Sequence, residues 1–269
     1  MTPRDVLITG GSDGIGLAVA KLLAAEEGTR VTLVARDAPR LRDAVATLPG
    51  DAHHVIAADL SVPNDVATLA SHLGSKQYDV LINNAGFGLY GRFAELSLDD
   101  QLRMMRLNME SVVVLSHAYL RGAKRGDALV NTASFLAYAP LPGAAAYSAT
   151  KAFVAVLSET LWWEYRKKGV YVLAFNPSVM ATRFHTAAGA SAAVFPRALT
   201  QSPESVAREL VSALRRRTAP RVITGFATRQ LVRLQRLVSS RTALNMMGRS
   251  SPIATSSPRL IAVDRRQHD

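Results

Sequence analysis

Short apolar runs alternate along this chain with longer segments in which apolar residues recur every three to four positions. Seven apolar runs predict β-strands: Asp5–Thr9, Arg30–Arg36, His54–Asp59, Val80–Asn84, Ala128–Ser134, Val170–Asn176 and Arg221–Thr224. The periodic segments predict helices between them: Ile15–Glu27, Pro39–Leu48, Pro63–Gly74, Leu98–Leu120, Tyr147–Lys167 and Pro203–Arg217. Several strands are apolar throughout, as in parallel sheets that helices cover on both faces. The pattern therefore predicts an α/β fold with a doubly wound, seven-stranded parallel sheet between helices.

The chain changes character after the seventh predicted strand. Phe226–Met247 predicts an additional helix whose leucines and arginines fall on different sides. One side carries Leu231, Leu234, Leu237 and Val238, and the other carries Arg229, Arg233 and Arg236. Ser250–Pro258 is low in sequence complexity, which indicates a flexible tail. We therefore expect a single domain over residues 1–225, a basic amphipathic helical extension over 226–249 and a tail over 250–269.

The composition limits the class of protein. With 269 residues and 48% hydrophobic content, the chain can bury one large core. It has no cysteine, and its six histidines lack the spacing of metal ligands, so we expect neither a disulfide framework nor a metal site. The N-terminus does not resemble a signal peptide, and no run of about 18 apolar residues predicts a transmembrane helix. We therefore expect a soluble, cytoplasmic protein.

The formal charge of +11 is concentrated in the last quarter of the chain. Residues 201–269 hold thirteen arginines and no lysine against four carboxylates. Such a surface attracts phosphates, acidic proteins, nucleic acid or anionic lipid, although a solvated arginine face needs no partner. Three interpretations of the extension remain: a cover for a substrate site or subunit interface, a membrane-surface helix, and a docking surface for an acidic acyl carrier protein. No recognition motif supports nucleic-acid binding, so we expect none.

A glycine-rich turn joins the first predicted strand to the first predicted helix. It reads Thr-Gly-Gly-Ser-Asp-Gly-Ile-Gly over residues 9–16. Glycines let the backbone turn tightly and approach a pyrophosphate, and the helix N-terminus supplies amide donors. An isolated glycine cluster is an ordinary loop, but this position in an α/β chain predicts a dinucleotide site. The expected cofactor contacts in the turn are Gly10, Ser12, Asp13, Gly14, Ile15 and Gly16.

The end of the second predicted strand indicates which dinucleotide binds. A protein that binds NAD usually places a carboxylate here for the adenosine ribose, whereas this chain has Ala35 followed by Arg36. An arginine suits a 2′-phosphate, because each charge-assisted hydrogen bond contributes about 1.5–3 kcal/mol. We therefore expect NADP(H) to be favoured over NAD(H). Asp37 leaves an alternative open, since it could pair with Arg36 or approach the ribose.

Ser134, Tyr147 and Lys151 form the candidate catalytic group. Tyr147 and Lys151 lie four residues apart in a predicted helix, so their side chains share one face. Ser134 ends a predicted buried strand. A hydroxyl, a phenol and an ammonium group suit proton transfer to or from an alcohol or carbonyl oxygen. The tyrosine–lysine spacing alone is weak evidence, because such pairs occur on many solvated helices.

Together these residues resemble the short-chain dehydrogenase/reductase family over roughly residues 4–185. The glycine turn matches the family's Thr-Gly-x-x-x-Gly-Ile-Gly signature, and residues 83–86 match its Asn-Asn-Ala-Gly segment. The tetrad that matches its catalytic residues is Asn108, Ser134, Tyr147 and Lys151. Further cofactor contacts implied by the resemblance are Asp59, Leu60, Asn84, Ala85, Gly86, Pro177, Val179 and Thr182, with Tyr147 and Lys151. Two residues depart from the pattern: Asp13 replaces the more usual serine, and Ser178 replaces the glycine after Pro177.

The resemblance implies a Rossmann-like fold and a specific role for each residue of the tetrad. Tyr147 is expected to be the general acid for reduction and the general base for oxidation, with its pKa lowered by Lys151 and the cofactor. Ser134 would orient the substrate oxygen, Lys151 would also hold the nicotinamide ribose, and Asn108 would anchor a water relay. We expect an NADPH-dependent reductase of a ketone or aldehyde, in a homodimer or homotetramer. An NAD(P)-dependent alcohol dehydrogenase and a non-catalytic NADP(H)-binding sensor are the alternatives.

Apolar residues near these motifs indicate the substrate. Candidates for its pocket are Phe87, Leu89, Phe135, Leu136 and Tyr138, together with Phe184, His185 and Phe195 on a predicted lid over residues 183–200. They favour a lipophilic carbonyl compound, although each could equally pack in the core. A single histidine on a lid is more often merely exposed, so His185 is not assigned a catalytic role.

Overall fold

The computed structural model describes residues 4–180, 197–249 and 251. Its strands are β1 (Asp5–Thr9), β2 (Arg30–Ala35), β3 (His54–Ala57), β4 (Val80–Asn83), β5 (Ala128–Thr132), β6 (Tyr171–Asn176), β7 (Val179–Met180), β8 (Thr200–Gln201) and β9 (Arg221–Ile223). Seven of these strands form one parallel sheet in the order β3-β2-β1-β4-β5-β6-β9. β7 and β8 form a separate parallel pair of two residues each. The predicted seven-stranded parallel sheet is confirmed.

Nine α-helices connect and cover the strands within the described part of the chain. They are α1 (Gly14–Ala24), α2 (Ala38–Ala46), α3 (Pro63–Ser75), α4 (Leu98–Met105), α5 (Ser111–Gly122), α6 (Ala145–Tyr165), α7 (Pro203–Arg216), α8 (Phe226–Gln235) and α9 (Ser240–Arg249). Ser202 caps α7 by accepting a hydrogen bond from the backbone of Ser205, 3.2 Å away, and Pro203 opens the helix. Each predicted helix up to residue 217 has a counterpart in the structure.

Alternate residues of each central strand face opposite layers of helices. On one face, Ile8 and Leu33 pack with α1, α2 and α7 through residues such as Leu210. On the other face, Leu7 and Leu129 pack with α3 and α5. All five of these side chains are fully buried. Burial on both faces explains why the central strands read as continuous apolar runs instead of alternating ones.

Two predicted helices are interrupted. The predicted helix over Leu98–Leu120 contains a π-helical turn at Arg106–Glu110, in which the backbone N–H of Ser111 donates to the carbonyl of Arg106. The predicted single helix over Phe226–Met247 is wrong, because the structure divides this segment into α8 and α9. The break falls where Ser239 accepts a hydrogen bond from the backbone of Thr242 and so caps a new helix.

The strand order reverses between β1 and β4, which are neighbours in the sheet. In doubly wound sheets, ligands bind beyond the carboxyl ends of the strands at this reversal. The glycine turn follows β1 there, and the Asn-Asn-Ala-Gly segment begins within β4. The topology therefore brings motifs that are about 70 residues apart in sequence to one edge of the sheet.

Candidate active site

A cavity of about 330 Å³ opens at the carboxyl edge of the sheet. The predicted site residues that line it are Gly10, Ser12, Asp13, Gly14, Ile15, Asn84, Ala85, Gly86, Ser134, Tyr147, Lys151, Pro177 and Val179. Residues from the ends of β1, β4, β5 and β6 thus share one space. Thr182 and most of the predicted lid, including Phe184, His185 and Phe195, lie outside the described residues.

The glycine turn is too tightly packed for larger residues. Gly10 has φ +66°, and a Cβ atom there would lie 2.9 Å from the Cα atom of Ala85. A Cβ atom on Gly16 would lie 2.3 Å from the carbonyl oxygen of Gly10. The amide of Asn84 donates to the carbonyls of Thr9 and Gly10, at 3.1 and 3.3 Å, and fixes the turn against β4. This cradle beside the N-terminus of α1 fits the pyrophosphate of a dinucleotide.

The structure explains why aspartate is tolerated at position 13. Asp13 is the N-cap of α1, and its carboxylate accepts a 2.8 Å hydrogen bond from the backbone of Gly14. Its other oxygen lies 3.1 Å from Nη2 of Arg40. A carboxylate at a helix N-terminus is favourable, but it would repel a bound phosphate. Arg40 offsets that charge at the entrance to the cavity.

Arg40 was missed in the sequence, although it forms an ion pair with Asp13 of the glycine turn. It lines the cavity, whereas Arg36 is exposed and lies outside the lining. Asp37 is the N-cap of α2 and accepts a 3.0 Å hydrogen bond from the backbone of Arg40. A signal was available, because Asp37 two residues before Pro39 marks a helix start and places Arg40 in its first turn.

Asp59 and Leu60 do not line this cavity, so their predicted contact with the cofactor stays a prediction. Leu60 is buried in the core. Asp59 accepts hydrogen bonds from the backbone and hydroxyl of Ser61, at 2.9 and 2.6 Å, and pairs with Arg103 at 3.4 Å. Burial acts to raise the pKa of Asp59, but the Ser61 hydrogen bonds and the charges of Arg103 and Arg36 lower it overall. The carboxylate is therefore ionised and faces a second surface hollow beside α4.

The candidate catalytic residues meet at one end of the cavity. Tyr147 and Lys151 lie one turn apart on α6, and Nζ of Lys151 is 5.8 Å from the centroid of the Tyr147 ring. Nζ also donates a 2.9 Å hydrogen bond to the carbonyl of Thr132 at the end of β5. Ser134 follows that strand and is hydrogen-bonded to Tyr147. Because Phe135 donates its backbone N–H to the carbonyl of Pro177, the Ser134 loop is also fixed against the end of β6.

Burial shifts both titratable groups toward their neutral forms. It raises the pKa of Tyr147, although the hydrogen bond with Ser134 acts in the opposite direction. It lowers the pKa of Lys151 to about 8. A poorly solvated site disfavours phenolate and ammonium alike. The chain alone therefore keeps the phenol protonated at neutral pH, which is opposite to the lowered pKa implied for the enzyme with its cofactor.

Asn108 is completely buried in the π-helical turn beside Lys151. Its amide nitrogen donates to the carbonyl of Phe87 at 2.9 Å and to the hydroxyl of Thr150 at 3.1 Å, and its oxygen accepts from the backbone of Phe87. A Cβ atom on Gly86 would lie 2.9 Å from Oδ1 of Asn108 and 3.3 Å from Nζ of Lys151. Asn108 and Lys151 thus converge on Gly86, and the water relay stays a prediction.

Ser178, the second departure from the family pattern, anchors a polar network. Its hydroxyl donates to Oε1 of Gln201 at 2.6 Å and accepts from Thr224 at 3.2 Å. Gln201 donates to Glu209 at 2.9 Å, and Glu209 also pairs with Arg229 at 3.1 Å. The serine therefore ties the loop between Pro177 and Val179 to α7 and α8, a connection that glycine could not make.

The remaining cavity wall is apolar. Phe87, Phe135 and Leu136 line it as predicted, whereas Leu89 and Tyr138 do not. Tyr90 and Met180 also line it and were missed, and the ring centroid of Tyr90 is 6.2 Å from that of Tyr147.

The helical extension reaches the same end of the molecule. Val232 of α8 and Met247 of α9 are buried in the hydrophobic cluster that contains Tyr147. Contacts between residues so far apart in sequence gave no local signal. Within the described chain, no group of three or more His, Cys, Asp or Glu residues is placed to hold a metal ion. No helix of that part combines the length and apolarity needed to cross a bilayer.

The fold and this site define a member of a known enzyme family. A model of the family described as short chain dehydrogenase matches residues 4–192, which is more than half of the chain. The chain therefore belongs to the short-chain dehydrogenase family of oxidoreductases.

Curated proteins are similar to about two thirds of this chain. Hydroxysteroid dehydrogenase-like protein 1 of Gallus gallus is 33% identical over 67% of this chain and 56% of its own length. Very-long-chain 3-oxoacyl-CoA reductase of Mus musculus is 31% identical over 66% of this chain and 59% of its own length. A 31% identical protein of Homo sapiens, matched over 66% of this chain and 56% of its own length, is named inactive hydroxysteroid dehydrogenase-like protein 1. The chain thus matches less than two thirds of these relatives.

The structural similarity extends further along the chain. A solved short-chain dehydrogenase from Sphingobium yanoikuyae in complex with NADPH aligns with a TM-score of 0.77. It is 30% identical, and the alignment covers 97% of this chain and 99% of that one. The similarity in fold therefore includes the region beyond residue 192, where the family model stops.

Proposed function

We propose that the protein is an NADPH-dependent reductase that converts a ketone or aldehyde into an alcohol. The observation that carries this proposal is the single cavity in which Ser134, Tyr147 and Lys151 lie beside the glycine turn. The cavity holds a proton donor, a cation and a hydrogen-bonding hydroxyl at one end. At its other end it has a backbone cradle suited to phosphates.

Tyr147 is the proposed general acid. Burial keeps its phenol protonated, so it can donate a proton to the carbonyl oxygen as that oxygen gains charge. The hydroxyl of Ser134 would hydrogen-bond and orient the same oxygen. The ammonium group of Lys151 would then stabilise the resulting phenolate, since the two side chains share one face of α6. A nicotinamide dinucleotide bound in the cavity would supply the hydride.

Separate groups of residues would hold the cofactor. The backbone of the glycine turn and the N-terminus of α1 suit its phosphates. Gly86, Pro177 and Val179 line the cavity near Lys151, which would hold the nicotinamide ribose. Arg36 and Arg40 lie at the end of β2 and in the first turn of α2, and two guanidinium groups there suit a 2′-phosphate. We therefore propose that NADP(H) is favoured over NAD(H).

The proposed substrate is a lipophilic carbonyl compound. Phe87, Tyr90, Phe135, Leu136 and Met180 contribute a predominantly apolar wall to the cavity. Apolar surface of this kind binds ligands mainly by removing their nonpolar area from water. The mouse relative named as a 3-oxoacyl-CoA reductase also acts on a carbonyl group, by its name, which supports this class of reaction.

The proposal is tested with the purified protein and a panel of ketones, aldehydes and the matching alcohols. Consumption of NADPH with a lipophilic ketone should greatly exceed consumption with a small polar ketone. Use of NADH should be weaker at equal concentration. Oxidation of alcohols with NADP⁺ faster than any reduction under matched conditions would favour the dehydrogenase alternative, which uses the same residues in reverse.

A non-catalytic NADP(H)-binding protein is the second candidate, because a relative at 31% identity is named inactive. The complete tetrad of Asn108, Ser134, Tyr147 and Lys151 argues against it, since binding alone does not need the proton-transfer group. Tight NADPH binding without turnover of any carbonyl compound would support it. A homodimer or homotetramer also stays a proposal, and sedimentation equilibrium would test it.

A further inference from the structure

The outward face of the C-terminal helices is both apolar and basic. α8 packs onto the protein through the buried side chains of Thr228, Val232 and Gln235. Phe226 and Leu237 are therefore turned outward and are 71% and 82% exposed. The predicted separation of leucines from arginines is wrong here, because Leu234 and Leu237 are exposed, as Arg233 and Arg236 are.

This face continues into α9 and has a defined composition. We name the Arg–Leu surface by its exposed members Phe226, Arg233, Leu234, Leu237, Arg241 and Leu244. Residues 226–249 hold five arginines and no lysine, aspartate or glutamate. Arg229 pairs with Glu209, but neither Arg233 nor Arg241 makes an ion pair with a described residue. The surface therefore combines uncompensated positive charge with protruding apolar side chains.

We propose that the Arg–Leu surface binds the surface of an anionic phospholipid bilayer. Interfacial helices of this kind place leucine and phenylalanine at the boundary of the acyl chains and arginine among the headgroups. Each arginine close to an anionic membrane contributes roughly a fivefold gain in affinity. Neither feature alone is sufficient. Both occur together at the turn between α8 and α9, where the exposed Leu237 is flanked by the exposed Arg236 and Arg241. The contact is peripheral, because no described helix is long and apolar enough to span a bilayer.

Other occupants fit the charge less well. In a two-fold symmetric dimer built on this surface, Arg233 and Arg241 of one chain would face the same arginines of the other, and residues 226–249 offer no carboxylate to separate them. The tail over residues 250–269 carries three arginines and two aspartates, so it does not complement the surface either. An acidic carrier protein would satisfy the arginines but offers no reason for so exposed a leucine at the turn.

Vesicle sedimentation of the full chain tests this proposal. Phosphatidylglycerol/phosphatidylcholine vesicles and pure phosphatidylcholine vesicles are compared at about 0.1 M salt, where charges beyond about 10 Å are screened. Wild-type protein should sediment with the anionic vesicles only. Leu237→Ser should lower the affinity for anionic vesicles at least about fivefold through lost apolar contact. The double variant Arg233→Gln/Arg241→Gln should lower that affinity at least about tenfold.

Matched controls remove equivalent residues elsewhere. Leu98→Ser removes a leucine that is 67% exposed on α4, and Arg42→Gln/Arg121→Gln removes two exposed arginines that make no ion pair with a described residue. Both controls should sediment like the wild type, and all variants should keep the NADPH affinity of the wild type, which reports folding. The proposal is overturned if the wild type does not sediment, or if the controls lose as much binding as the test variants. Binding to an acidic carrier protein without binding to anionic vesicles would also overturn it.

Discussion

The two ends of the cavity are built in different ways. The cofactor end is formed by local motifs in which a few neighbouring residues set the backbone, as Gly10 and Gly16 do. The other end is formed by side chains from distant segments, such as Tyr90, Leu136 and Met180. Under the proposed function, we expect the first end to bind the cofactor and the second to select the carbonyl compound. Substitutions in the catalytic group should abolish turnover. Substitutions in the apolar cavity wall should change which carbonyl compounds react.

The largest effect is expected at the proton donor. Tyr147→Phe keeps the ring that packs in the buried cluster but removes the hydroxyl, so kcat for ketone reduction should fall at least about 10²-fold. NADPH affinity, measured by fluorescence, should change little. Tyr90→Phe is the matched control, because it removes a second phenol 6.2 Å away by ring centroid. A similar loss of kcat in both variants would remove the distinction between the two tyrosines.

The cofactor end should respond in its choice of dinucleotide. Arg36→Ala/Arg40→Ala should lower kcat/KM with NADPH relative to NADH by about tenfold or more. This change in the ratio is small for two charge-assisted contacts, because both arginines are exposed to solvent. Steady-state kinetics with both cofactors measure the ratio. Equal losses with NADPH and NADH would contradict the assignment, and Arg42→Ala further along α2 is the control.

The pH dependence of cofactor affinity should report Lys151. The group carries its charge below its pKa of about 8 and loses it as the pH rises through that value. NADPH affinity should therefore be retained from pH 7 to about 7.5, where the 2′-phosphate is already fully charged, and should fall toward pH 9. The charge of arginine persists over this range, so Lys151→Arg should remove the fall near pH 8. The same fall in that variant would assign it to another group.

A smaller effect is expected in the Ser178 network, which ties the loop beside the cavity to α7 and α8. Glu209→Gln keeps the size of the side chain but weakens its links to Gln201 and Arg229, and so loosens the Ser178 network. We expect KM for NADPH to rise about fivefold with kcat nearly unchanged, because Pro177 and Val179 line the cavity without donating protons. Ser178→Gly should reproduce the effect, and Glu209→Asp should partly rescue it. A loss confined to kcat would contradict this role.

Much of the fold follows from the sequence because its rules are local. Buried parallel strands such as Val80–Asn83 read as continuous apolar runs, and Ser202–Pro203 marks a helix start. The tetrad was predicted through its resemblance to a family and lies together in the structure. Ser134, Tyr147 and Lys151 converge because β5 ends and α6 begins at one edge of the sheet.

The errors and omissions have a common physical origin. Leu237 was placed on the same side as Leu231, although it lies beyond the end of α8 at Gln235 and faces solvent. Which face of an isolated helix is buried depends on the surface against which it packs. Arg40 and Tyr90 were missed for a similar reason, since their roles come from contacts with residues distant in sequence.

Transfer of deuterium from NADPH to the carbonyl carbon tests the proposed reaction directly. Purified protein is incubated with NADPH carrying deuterium at both positions of nicotinamide C4 and with a lipophilic ketone, and the alcohol is analysed by mass spectrometry. We expect alcohol labelled at the carbinol carbon with wild-type protein, and at least about 100-fold less with Tyr147→Phe at equal NADPH occupancy. Bound NADPH that yields no labelled alcohol from any ketone or aldehyde in the panel would contradict it.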